Sequence, residues 1–137
     1  MSRTARVERT TKETSITVNL NLDGSGKCDV STGIPFYDHM IDQVARHGGF
    51  DLALVAKGDL HIDTHHTVED VALALGEAFR QAAGDRAGVR RFSSGRYPLD
   101  EAVIDIVLDL SGRPFVFWDV PIPECLPLGN PPFDPNL

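Results

Sequence analysis

The sequence has few cysteines, few basic residues and no long apolar run, and each shortage excludes a class of protein. Its two cysteines, Cys28 and Cys125, form no CxxC pair, so we predict reduced thiols of minor structural importance. Only 13 lysines and arginines oppose 20 acidic residues, and the net charge of −7 argues against a nucleic-acid partner. No stretch has the length and apolarity of a membrane span, and no signal-peptide core follows the first methionine. We therefore expect no membrane partner and a cytoplasmic location.

Proline is equally scarce until the chain nears its end. Six of the nine prolines lie within residues 121–137, where each removes a backbone donor and disfavours both helix and sheet. We therefore predict an irregular proline-rich tail over 121–137. The chain as a whole, with 137 residues of which 42% are hydrophobic, is large enough for one globular domain with a core.

Histidine and carboxylate residues are concentrated in one run, DLHIDTHHTVED, at residues 59–70. If a helix begins at or before His65, His65 and Glu69 lie one turn apart on one face, and His66 and Asp70 repeat that geometry on the next face. Two such faces predict two metal ions. Imidazole and carboxylate ligands without thiolate favour a divalent ion such as manganese, iron or zinc.

Helix capping is the competing interpretation of the same run. Thr64 or Thr67 is a suitable N-cap, and acidic residues in a first turn complement the helix dipole. If Thr67 is the cap and Asp70 closes a capping box, the histidines lie outside the helix. Capping accounts for the carboxylates and for none of the histidines, so we favour the metal role.

A second cluster of charge is basic. Residues 85–96, DRAGVRRFSSGR, contain four arginines, and arginine binds phosphate or carboxylate through forked hydrogen bonds. A solvated loop with scattered arginines accounts for the same pattern. The spacing alone does not decide between an anion site and a loop.

Hydrophobic periodicity predicts an α+β domain that begins with strands. Residues 16–22 alternate between apolar and polar side chains, as in a half-buried strand. Turn residues occupy 23–26, and 27–33 is predicted to return as the second strand of a hairpin.

Two helices and two further strands follow. The first helix is predicted from about Pro35 to a pair of glycines. Its apolar stripe consists of Tyr37, Met40, Ile41 and Val44. The second helix begins in the histidine run and ends near Gly84. Residues 50–57 and 104–110 alternate as strands, and 86–96 is predicted to be a loop.

An internal repeat relates the first strand to the last one. An offset of 88 places Glu13, Ile16, Val18, Leu20, Leu22 and Gly24 on Glu101, Ile104, Ile106, Leu108, Leu110 and Gly112. We predict a first repeat over about 5–86 and an incomplete second repeat over about 87–120, because the chain ends before a second histidine helix would begin. The two repeats form a domain over 1–120.

Five blocks of sequence, in this order and spacing, resemble the imidazoleglycerol-phosphate dehydratase family of histidine biosynthesis. The blocks are RTTKET at 9–14, STGIPFYDHMIDQVARHGGFDL at 31–52, KGDLHIDTHHTVEDVALALGEA at 57–78, GVRRF at 88–92 and PLDEAVIDIVLDLSGRPF at 98–115. The resemblance runs from about residue 6 to about residue 120.

The resemblance implies a fold, an assembly and a reaction. Each half of the family fold is a mixed, largely antiparallel four-stranded sheet backed by two helices, as in domain 2 of ribosomal protein S5. Subunits form a large homo-oligomer of cubic symmetry, with two manganese(II) ions at each active site. The hydro-lyase reaction removes water from a small phosphorylated imidazole, D-erythro-1-(imidazol-4-yl)glycerol 3-phosphate, to give 3-(imidazol-4-yl)-2-oxopropyl phosphate.

The resemblance also assigns residues. His39 and His66 are expected to bind one manganese ion, and His65 and Glu69 the other. His39, His65 and Glu69 are also expected to contact the substrate, together with Glu13, His47, Arg91 and Arg113. Glu13 is the expected catalytic carboxylate, Arg91 and Arg113 bind the phosphate, and His61 is not a ligand.

The sequence departs from the family in its second half. The family supplies a further histidine, a second His-His-Glu helix and a serine and lysine pair from that half, and this sequence contains none of them. Two functions are therefore expected as alternatives. The chain is either a metal-dependent dehydratase, or a truncated, inactive family member that binds metal weakly or associates with homologous subunits.

Overall fold

Six strands and two helices are found in a computed structural model that describes residues 2–122 and 127–137. In chain order they are β1 (Thr4–Thr10), β2 (Thr14–Asn21), β3 (Cys28–Ser31), α1 (Pro35–Gly48), β4 (Asp51–Gly58), α2 (His65–Ala83), β5 (Phe92–Leu99) and β6 (Ala102–Asp109). The chain divides into two compact units, Met1–Gly84 with Ile122–Leu137 and Asp85–Pro121. Each unit is described by itself.

The first unit is built on a mixed four-stranded sheet in the order β1-β2-β4-β3. Strand β2 is antiparallel to both β1 and β4, and the short strand β3 is parallel to β4 at the sheet edge. The predicted hairpin between 16–22 and 27–33 is therefore wrong. Both edges of β2 are occupied by β1 and β4, so the chain after the 23–26 turn passes to the far side of β4 before it pairs.

The helices cover one face of this sheet, which confirms the predicted α+β class. The alternation in β2 and β4 directs one set of apolar side chains to the helices, and small residues of α2 allow close packing. The core includes Ile16, Val18, Leu20, Leu52, Leu54, Ala56, Val71, Ala74, Ala78 and Ala82. Burial of each larger aliphatic side chain contributes roughly 1.5–3 kcal/mol relative to exposure.

Helix α1 begins and ends as predicted, but its apolar stripe is only partly buried. Pro35 occupies its first turn, and Gly49 ends it in the left-handed conformation with φ of 71°. Ile41 is buried and Tyr37 packs against the core, whereas Met40 and Val44 are exposed. Two of the four residues in the predicted apolar stripe therefore lie outside the core, and α1 buries Ala45 in place of Val44.

The second unit contains an antiparallel hairpin of β5 and β6 and no helix within its described residues, Asp85–Pro121. The loop predicted over 86–96 is wrong from Phe92 onward, where β5 begins. The strand was missed because Ser93, Ser94 and Gly95 give it no apolar alternation. The hairpin repeats the register of β1 and β2 at the offset of 88. Val7 pairs with Val18, and Gly95 pairs with Ile106.

The described part of the proline-rich tail, residues 127–137, has little regular structure and packs within the first unit. Leu128 and Phe133 exchange two backbone hydrogen bonds of 2.8 and 2.7 Å. The Phe133 ring stacks on Tyr37 with centroids 5.5 Å apart, and the Thr64 hydroxyl donates to the Pro132 carbonyl at 3.0 Å. The tail is thus irregular, as predicted, but held by specific contacts.

The Cys28 thiol and the two helices bear on the expectations of minor thiols and of no membrane span. Burial raises the pKa of the Cys28 thiol to about 11, which keeps it protonated at neutral pH. Cys125 lies outside the described residues. Neither α1 nor α2 is both long enough and apolar enough to cross a membrane.

Candidate metal and substrate site

The first turn of α2 carries the histidine pair. The helix begins at His65, and the Val68 amide donates to the Thr64 carbonyl at 3.0 Å. Asp63 provides a local cap, because its carboxylate accepts the His65 amide at 2.8 Å. The alternative in which Thr67 caps the helix is therefore wrong, and both imidazoles lie within the helix.

His65 and Glu69 are brought together by the helical repeat. His65 Nε2 lies 3.5 Å from Glu69 Oε2, and both side chains are more than half exposed. An exposed pair of this kind contributes little to stability. Its two donor atoms face solvent, as a metal-binding pair requires.

His66 is held by a carboxylate from outside the helix. Its Nδ1 lies 2.9 Å from Oδ2 of Asp59, one residue beyond β4. The hydrogen bond that Asp59 accepts from His66 is the main reason that the pKa of His66 is raised, and the charges of Asp59, Asp63 and Glu13 act in the same direction. Sequence reasoning counted Asp59 within the run but gave it no role, since no helical spacing relates it to His66.

Asp70 does not repeat the geometry of Glu69. It is buried and points toward the turn before β2, where it accepts the Thr14 hydroxyl at 2.6 Å and the Arg9 guanidinium at 2.8 Å. The hydrogen bond from Thr14 and then the interactions with Arg9 hold the pKa of Asp70 below its ordinary value. The interpretation of His66 and Asp70 as a second metal-binding pair is therefore wrong.

The turn that Asp70 anchors carries Glu13. The Thr11 hydroxyl accepts the amides of Glu13 at 3.1 Å and Thr14 at 3.0 Å, which closes the turn. Glu13 itself is exposed, and its charge contributes to the raised pKa of His66. The structure therefore brings the expected catalytic carboxylate within electrostatic range of the first turn of α2.

The three remaining histidines lie in different places. His39 is exposed on α1, one turn after Phe36, with ring centroids 6.5 Å apart. His47 lies near the end of α1, about 12 Å along the axis from His39, with its Nε2 3.2 Å from the Gln43 side-chain oxygen. His61 is exposed in the connection between β4 and α2. The roles expected for His39 and His47 stay predictions.

The two arginines expected to bind phosphate lie in the second unit and share a neighbour. Arg91 donates to both carboxylate oxygens of Asp109, at 2.7 and 3.1 Å. The hydrogen bond from Arg91 lowers the pKa of Asp109, and the charge of Arg113 acts in the same direction. Arg91 and Arg113 therefore lie near one carboxylate. Arg96 is paired with Asp105.

The chemistry of the donors fits a divalent ion, although they are fewer than a closed site requires. Across residues 2–122 and 127–137, no three His, Cys, Asp or Glu side chains are grouped closely enough to hold a metal ion. The start of α2 instead offers the His65 and Glu69 pair and the second ring nitrogen of His66, the one that does not contact Asp59. Structural metal sites commonly have four ligands, so the donors at this turn are too few to close such a site by themselves.

Comparison with known proteins gives one consistent family. The family profile described as imidazoleglycerol-phosphate dehydratase matches residues 32–127. The imidazoleglycerol-phosphate dehydratase of Salinispora tropica is 61% identical over 121 residues, and the match covers 88% of this chain and 60% of the relative. That of Streptomyces avermitilis is also 61% identical over 121 residues, with 88% and 61% covered.

Solved structures of the same family share the fold. The crystal structure of imidazoleglycerol-phosphate dehydratase from Staphylococcus aureus superposes with a TM-score of 0.70 at 27% identity, covering 82% of this chain and 60% of that one. The enzyme from Pyrococcus furiosus, in complex with (S)-C348, gives 0.68 at 32% identity, covering 87% and 62%. The chain thus spans about 60% of the length of the relatives that it matches.

Proposed function

This chain belongs to the imidazoleglycerol-phosphate dehydratase family, and on that premise we propose that it carries the first half of a metal-dependent dehydratase site. The proposed reaction is the elimination of water from D-erythro-1-(imidazol-4-yl)glycerol 3-phosphate to give 3-(imidazol-4-yl)-2-oxopropyl phosphate. It belongs to histidine biosynthesis. The proposed oligomer is the large assembly of cubic symmetry.

One observation carries this proposal: the arrangement of His65, Glu69 and His66 at the start of α2. His65 Nε2 and Glu69 Oε2 lie 3.5 Å apart, and His66 is fixed through Nδ1 so that its Nε2 is directed away from Asp59. Neutral imidazole nitrogen and carboxylate oxygen are common ligands of manganese and zinc. We propose that His65 and Glu69 hold one ion, and that His66 with His39 holds a second.

The remaining residues are assigned roles in substrate binding and proton transfer. Glu13, whose charge acts on His66, is proposed to move a proton at the reacting carbon. Arg91 and Arg113 are proposed to bind the substrate phosphate, because paired guanidinium groups recognise phosphate through charge-assisted hydrogen bonds. His47 is proposed to line the substrate pocket. Bound divalent ions would supply stabilisation of negative charge on the substrate's imidazole ring.

Turnover by the purified chain tests the proposal. With manganese(II) and the phosphorylated imidazole diol, the phosphorylated ketone product is expected, and His65→Ala or Glu69→Gln is expected to abolish it. Lys57→Ala, an exposed change on β4, is the matched control and should retain activity. Absence of product from folded protein that is saturated with manganese would contradict catalysis by this chain.

The small number of donors favours a second candidate function. The described donors at the first turn of α2 fall short of a full ligand set. The chain, which spans about 60% of its relatives' length, is therefore also a candidate for an inactive subunit that binds metal weakly or joins a homologous dehydratase. Manganese binding that His65→Ala removes, without turnover, supports this candidate. A chain that neither binds manganese nor joins a full-length dehydratase contradicts it.

A further inference from the structure

The carboxylate of Asp59 lies where a charge is costly. Its side chain is only 13% exposed, whereas the imidazole that it contacts, His66, is 43% exposed. Oδ2 of Asp59 is 2.9 Å from His66 Nδ1, while the buried Oδ1 has no hydrogen-bond partner in the described part of the chain. A buried carboxylate is stabilised only when its oxygens are paired. The imidazole is thus the one side-chain partner found for it among these residues.

The backbone holds Asp59 in this position. Asp59 directly follows β4, and its carbonyl accepts the Ile62 amide at 2.8 Å to form a tight turn. The turn reverses the chain so that α2 begins six residues later. Because β4 is a central strand of the sheet, the Asp59 carboxylate is fixed to a rigid element and α2 presents His66 to it.

A hydrogen bond at Nδ1 decides what the other nitrogen of the ring can do. In a neutral imidazole one nitrogen carries the proton and the other has a free lone pair. If Nδ1 donates to Asp59, Nε2 becomes the acceptor and is directed away from the carboxylate. Metal-binding histidines are commonly oriented by a carboxylate in this manner. Asp59 is therefore suited to select the imidazole tautomer that binds a metal through Nε2.

We propose that Asp59 is a positioning residue that fixes the tautomer and orientation of His66 for metal binding. The proposal rests on the proposed function, since it assigns the metal to His66 Nε2. A merely structural role is the alternative. It predicts that loss of Asp59 changes stability alone and leaves both the tautomer and the metal affinity unchanged.

The experiment combines two readouts on the full chain. Nitrogen NMR of 15N-histidine protein reports the His66 tautomer without metal, with the signal assigned from His66→Gln. Electron paramagnetic resonance of free manganese(II) reports the affinity. Asp59→Ala removes the acceptor, and Asp59→Asn keeps an acceptor without the charge. Ile62→Ala is the matched control on the same connection, because the Ile62 side chain is uncharged and 64% exposed.

The expected results separate positioning from structure. Wild-type protein should show His66 protonated at Nδ1 when the ring is neutral. Asp59→Ala should shift His66 toward the other tautomer and weaken manganese binding by about 10- to 100-fold, and Asp59→Asn should restore part of both. Ile62→Ala should retain the His66 tautomer and bind manganese within about twofold of wild type.

Two results would overturn the proposal. One is a wild-type His66 protonated at Nε2, which needs no variant and is informative even if Asp59→Ala fails to fold. The other is unchanged manganese affinity in folded Asp59→Ala. Failure of the proposed function looks different: wild-type protein would bind no manganese, whereas the tautomer of His66 would still respond to Asp59→Ala.

Discussion

Asp70 connects the turn that carries Glu13 to helix α2 through side chains that are far apart in sequence. It accepts hydrogen bonds from the Thr14 hydroxyl and from Arg9, and its side chain is only 11% exposed. A buried carboxylate with these partners is needed to hold the turn against the helix, because no backbone pairing joins them. The position of Glu13 relative to His66 therefore depends on Asp70.

Replacement of this carboxylate gives a stability prediction with a defined pH dependence. We expect Asp70→Asn to lower the free energy of unfolding by about 1–2 kcal/mol at neutral pH, because the Arg9 ion pair is lost and one hydrogen bond is weakened. The pKa of Asp70 is lower in the folded state than its ordinary value of 3.8. Its stabilisation is therefore present above that value and is lost as the pH falls through the folded-state pKa.

Urea denaturation of wild type and variant at several pH values measures this effect. The difference between the two free energies of unfolding should shrink toward zero in strong acid. Asp29→Asn, an exposed change on β3, should alter the free energy by less than about 0.5 kcal/mol. A difference for Asp70→Asn that stays constant between neutral and strongly acidic pH would show that the ionised carboxylate is not responsible.

At this scale the sequence predicts contacts that follow the helical period and misses those that depend on chain reversal. The proximity of His65 and Glu69 follows from their spacing of four residues. The contact of His66 with Asp59 depends on the turn after β4, and the contact of Asp70 with Thr14 spans 56 residues. The same period pointed to Asp70 as a partner of His66, but Asp70 instead contacts the buried Thr14 hydroxyl and the partly exposed Arg9 guanidinium.

At the scale of elements, the end of β4 packs so closely against α2 that its last residue, Gly58, has no room for a side chain. A Cβ atom at Gly58, the last residue of β4, would lie 1.9 Å from the Thr67 hydroxyl oxygen, whereas a Cβ atom at Gly76 would meet nothing within 4 Å. Thr67 is fully buried in the first turns of α2. The strand end and the start of the histidine helix are thus held together at this glycine.

Alanine substitution at the two glycines should have opposite effects. Gly58→Ala is expected to lower the free energy of unfolding by about 1–3 kcal/mol, because the new methyl group overlaps Thr67. Gly76→Ala should raise it by about 0.5–1 kcal/mol, because alanine is the better residue in the middle of a helix.

Chemical denaturation checks both values, and the double variant Gly58→Ala with Thr67→Ala tests the mechanism. Removal of the Thr67 hydroxyl should recover part of the loss, so that the double variant is more stable than the sum of the single changes predicts. Simple additivity would mean that the overlap is relieved by movement of the backbone and not by Thr67.

The elements themselves were predictable where one periodicity extends over a whole segment. Both helices and the strands β2, β4 and β6 were predicted from alternation or from helical spacing. Strand β3 was predicted with the wrong partner, because its four residues cannot specify an edge. Strand β5 was missed, because Ser93, Ser94 and Gly95 remove the apolar half of its alternation.

Each of the two units contains a hairpin of the same register. Helices cover its apolar face in the first unit, whereas that face is exposed in the second. Leu20 pairs with Ala5 in the first unit, and Leu108 pairs with Ser93 in the second, at the same offset of 88. Leu20 is 3% exposed beneath the helices, whereas Leu108 is 53% exposed. The register of the repeat is therefore preserved in the second unit, although its described residues include no helix to cover the apolar face.

The offset provides a matched pair of substitutions that measures what the helices contribute. Leu20→Ala should lower the free energy of unfolding by about 3 kcal/mol, since it opens a cavity in a packed core. Leu108→Ala removes the same atoms from an exposed face and should cost less than about 1 kcal/mol. Isolated two-stranded hairpins are marginally stable, so amides of β5 and β6 should also exchange with deuterium much faster than those of β2 and β4.

If Leu108→Ala costs more than expected, the dependence of that cost on protein concentration shows what covers the hairpin. If Leu108→Ala costs as much as Leu20→Ala at low concentration, the hairpin face must be covered within a single chain, and the exposed arrangement would be wrong. If the cost of Leu108→Ala and the protection of β6 both increase with concentration, copies of the chain cover the face by association. The measurement therefore separates a second unit whose apolar face is exposed from one whose apolar face is covered by another copy of the chain.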